Sequence, residues 1–84
     1  MSEAELLGFS PAMRRELWCT FCRAYILSRG NASAQDANLK VLDGLAHLWE
    51  LSEWQQEEWY RTVARSIEAT KSSIDEILNR KRYL

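Results

Sequence analysis

Eighty-four residues, 46% hydrophobic and 27% charged with a formal net charge of −1, describe one domain close to the size at which a single core yields only modest net stability. Four Trp and two Phe are enough to fill such a core, which excludes a wholly disordered chain. No apolar run approaches membrane-spanning length, and Ser2-Glu3-Ala4-Glu5 has neither the basic nor the apolar part of a secretory leader, so an intracellular protein is expected.

In chain order, Ser10 offers a helix cap and Pro11 the first helical position. Leu17, Trp18, Phe21, Cys22, Tyr25 and Ile26 then recur on one helical face until Gly30-Asn31, which predicts a first helix over about 11–29. Cys19 and Cys22 form a C-x-x-C inside that pattern, with one histidine, His47, far along the chain. A zinc site needs four ligands and thiol redox chemistry needs a different setting, so no metal is expected and Cys22 reads as a small core residue.

A polar loop follows at 30–35. Leu39, Leu42, Leu45, Leu48 and Trp49 mark a second helix over about 36–50, its start capped by Ser33, Asp36 or Asn38. Trp49 closes it, and a new helix begins almost at once. Ser52 is its N-cap, and Gln55 stands three residues on, in the capping-box position. Leu51 provides a weak staple, so Trp49 is expected to pack under the turn as the anchor between the two helices. The third helix spans about 53–79, with Trp59, Val63, Ile67, Ile74 and Leu78 facing inward. With no β-pattern and no repeat, residues 1–84 form one all-α domain of three helices with flexible ends.

Three runs in these helices resemble the high-mobility-group (HMG) box. They are Trp18, Phe21 and Cys22 in the first helix; Val41, Leu45 and Trp49 ending the second; and Ser52, Tyr60, Ala64 and Ile67 in the third. The resemblance extends from Trp18 to Ile67 and implies an L-shaped three-helix bundle, a nuclear location and binding that bends DNA. The family's wedge positions fall on Cys19 and near Asn38, neither of which unstacks a base step as a Phe, Met or Ile does. The position that approaches a base falls near Glu16, and Ser2-Glu3-Ala4-Glu5-Leu6-Leu7 stands where the family has a basic arm.

Charge distribution points the same way. Between residues 30 and 60, Lys40 is the one base against six acids, whereas phosphate neutralisation supplies most non-specific DNA affinity. The residues left for nucleic acid are Arg14 and Arg15, and Arg80, Lys81 and Arg82 near the C-terminus. Trp54 lies nine residues before Val63, about 180° around the helix from the core stripe. Either it folds over the first turn to cover Leu51 or the end of the second helix, or it is exposed. An exposed Trp flanked by Glu53, Glu57, Glu58 and Arg61 is the pattern of an aromatic anchor in a charged rim. His47 has no nucleophile within helical reach, and Gly8, Gly30 and Gly44 are isolated, so neither catalysis nor a phosphate loop is expected. No cofactor, small-molecule substrate or membrane is implied. The expected function is protein–protein docking by an HMG-box-like module in a chromatin or nucleic-acid setting. Architectural DNA bending is the second reading, and a small viral or phage-type inhibitor of a host factor is the third.

Overall fold

The computed structural model describes residues 2–82, with side chains through residue 80. It is all-helical: α1 (Glu3–Leu7), α2 (Pro11–Leu27), α3 (Ala32–Leu48) and α4 (Glu53–Arg82). The three expected helices are α2, α3 and α4. The fourth, α1, lies in the segment expected to be flexible, and the Ser2 hydroxyl caps it by accepting from the Glu5 amide.

Local chemistry explains each boundary, including those that differ from expectation. Ser10 Oγ accepts from the Met13 amide at 3.2 Å and Pro11 begins α2. The helix stops at Leu27 rather than Arg29, because the chain turns through Ser28 to Gly30, whose φ of +96° is open to glycine at little cost. Next, Asn31 Oδ1 accepts from the Ala34 amide at 3.1 Å, so α3 begins at Ala32, ahead of the expected residue 36. Ser33, Asp36 and Asn38 are not its caps; Asn38 Nδ2 donates back to the Ala34 carbonyl within the helix.

The end of α3 is a Schellman turn. Leu51 N donates to the Ala46 carbonyl and Glu50 N to the His47 carbonyl, the paired bonds of that motif. Its left-handed position, normally a glycine, is held by Glu50 at φ 53°. Helix α3 therefore ends at Leu48 with Trp49 as its cap, not at Glu50. Ser52 Oγ accepts from the Gln55 amide at 3.1 Å as predicted. The expected return from the Gln55 side chain to the Ser52 backbone is not made; instead Gln56 Nε2 donates to the Leu51 carbonyl. With 30 residues, α4 runs past the expected Asn79 and gives the molecule its long dimension, 55 × 28 × 24 Å.

The core lies where α2 packs on α3 and on the first half of α4. Trp18, Cys22, Leu42, Leu45, Trp49, Trp59 and Val63 form it. The Trp18 and Trp59 rings meet at 5.8 Å and 58°, and Trp18 Nε1 donates to the Leu42 carbonyl at 3.3 Å. Leu39 and Val41 are exposed; at about 100° per residue they stand roughly 70° and 90° from the middle of the stripe formed by Leu42, Leu45, Ala46 and Trp49. Ile74 and Leu78, expected inward, are also exposed, because α2 has ended and nothing covers α4 beyond Ile67.

Trp49 is buried at 6% exposure. Its Nε1 donates to the Leu6 carbonyl at 2.9 Å, its ring stacks on Phe9 at 6.3 Å, and the Arg14 guanidinium lies 5.6 Å from its centroid. Arg14 itself donates to the Phe9 and Leu7 carbonyls at 3.0 and 2.8 Å, which neutralises the C-terminal end of α1. One indole thus joins the turn before α4 to the N-terminal segment.

Trp49→Ala will cost about 3–5 kcal/mol, most of the stability available to a domain this small; an unchanged melting temperature contradicts the packing. Glu50→Gly works in the opposite direction. Relief of the left-handed strain, about 1–2 kcal/mol, exceeds the extra chain entropy that glycine loses on folding. Chemical denaturation should show a net gain of about 0.5–1 kcal/mol, and a loss would mean the Glu50 carboxylate stabilises the turn.

Candidate functional site

Helix α4 starts under tight local control, with Ser52 and Gln56 closing its first turn. Trp54 is therefore held on a fixed backbone while its side chain remains free: it is 71% exposed, against 4%, 6% and 7% for Trp18, Trp49 and Trp59. Residues three, four, seven, eight and eleven positions on share its side of the helix. Trp54 accordingly lines a shallow surface depression with Glu57, Glu58, Arg61, Thr62 and Arg65. Arg61 Nη2 bonds Glu57 Oε1 at 2.9 Å, both side chains well exposed. Such a pair orients side chains more than it stabilises the fold.

Four of the five expected docking residues, Trp54, Glu57, Glu58 and Arg61, are gathered here. Glu53 is exposed beside them but does not line the depression. Thr62 and Arg65 belong to it and were missed, although their spacing from Trp54 was readable in the sequence.

The expected nucleic-acid residues are not gathered. Arg14 is half-buried, donates to the Leu7 and Phe9 carbonyls and lies against the face of Trp49. Arg15 is exposed. Arg80 reaches Glu76 at 3.5 Å near the far end of α4, roughly 40 Å from its start at about 1.5 Å per residue. The side chains of Lys81 and Arg82 lie outside those described. In α3, Lys40 is paired with Asp36 at 3.2 Å, and Asp43, His47 and Glu50 share a depression near its C-terminal end.

No group of His, Cys, Asp or Glu among the described residues is arranged to hold a metal ion. Cys22 is fully buried, and its thiol is pushed up to about 11, first by desolvation and then by Cys19, with Arg23 opposing. It stays protonated at neutral pH and acts as a packing group, as expected. Burial also raises Cys19 above its ordinary value, although Arg15 and Arg23 pull it down. Neither thiol has the depressed pKa of a reactive cysteine. No helix among the described residues is long and apolar enough to cross a membrane.

No family model, curated protein or solved structure matches the chain.

Two neighbouring arginines separate fold from surface. Arg14→Ala removes two hydrogen bonds and a cation–π contact, and thermal unfolding should report a loss of about 1–2 kcal/mol. Arg15→Ala should stay within about 0.5 kcal/mol of the parent. Equal effects would contradict the latch role of Arg14.

Proposed function

We propose that this chain is a non-enzymatic docking module with an L-shaped, HMG-box-like arrangement of α2, α3 and α4, and that it binds a protein partner through the Trp54 face. The observation carrying this reading is the 71% exposure of Trp54 on a helix start that is otherwise closed by hydrogen bonds. An indole exposed on a rigid backbone loses little conformational entropy on binding and contributes a large contact area. Glu53, Glu57 and Glu58 set the electrostatics of the rim, which suits a partner with an apolar pocket bordered by basic groups. Arg61, tied to Glu57, limits the freedom of that carboxylate.

The chromatin or nucleic-acid setting, and the nuclear location with it, is what the HMG-box resemblance implies. DNA bending ranks below docking because Cys19 and Asn38 stand at the wedge positions, Arg14 is committed to α1, and α3 carries more acid than base.

Trp54→Ala tests the reading directly. Melting temperature should stay nearly unchanged while capture of partner protein weakens by about 2 kcal/mol or more. Glu57→Lys should mainly slow association and change its salt dependence. Strong destabilisation by Trp54→Ala would return the residue to the core and remove the anchor. Tight, salt-resistant binding to a DNA junction would favour the architectural reading instead.

A further inference from the structure

We draw no further inference here: the strongest candidate, the apolar groove where α2 ends against α4, floored by Leu27, Ile67 and Ile74 with Arg23 and Lys71 on its edges, carries nothing because nothing in the structure shows what covers it.

Discussion

The fold depends on one indole. Trp49 caps α3, receives the stacked ring of Phe9 and the guanidinium of Arg14, and donates its N–H to the Leu6 carbonyl. A buried indole without an acceptor carries the cost of an unpaired donor, and the last turn of α1 supplies that acceptor. Arg14 then accounts for two more carbonyls of the same segment. Loss of the α1 segment would leave the Trp49 N–H without its acceptor, so these contacts tie α1, the start of α2 and the end of α3 together. The left-handed Glu50 immediately after Trp49 sets the direction in which α4 leaves.

That constraint separates the roles of two tryptophans five positions apart. Trp49 is enclosed before the chain turns; Trp54 emerges just after it, beyond the Ser52 cap, on the side of α4 away from Val63. The turn that buries one indole therefore fixes the orientation of the other. Helix α4 then continues well past its last core contact, with Ile74, Ile77 and Leu78 all more than half exposed. A small domain that leaves apolar side chains uncovered at both ends of one helix has surface available for association, and its acidic and basic groups are distributed unequally between those ends.

Much of this arrangement was legible in the sequence because it is local. The Ser10-Pro11 start, the Ser52 cap, the core roles of Trp18, Cys22, Trp59 and Val63, and the placement of Trp54 away from the core stripe follow from capping chemistry and a 3.6-residue period, whereas the period left open whether Trp54 folds back over the first turn or stands in solvent. The errors arose where tertiary context decides. Asn31 outcompeted Ser33, Asp36 and Asn38 as the cap of α3 because the turn at Gly30 places it at the junction. Ile74 and Leu78 keep the core period, but periodicity cannot reveal that α2 ends first. Arg14 reads as a surface base in sequence, since its acceptors, the Leu7 and Phe9 carbonyls, belong to a five-residue helix too short to announce itself by pattern.

The central claim is that three indoles are committed to the fold and the fourth is presented to solvent. Fluorine NMR of the protein labelled with 5-fluorotryptophan, recorded in light and heavy water, addresses it in one experiment, because the solvent isotope shift of each resonance reports its exposure. With single Trp→Phe variants assigning the peaks, the account predicts a large isotope shift for Trp54 alone and small shifts for Trp18, Trp49 and Trp59. A shielded Trp54, or a Trp49 resonance as responsive to solvent as Trp54, would contradict it.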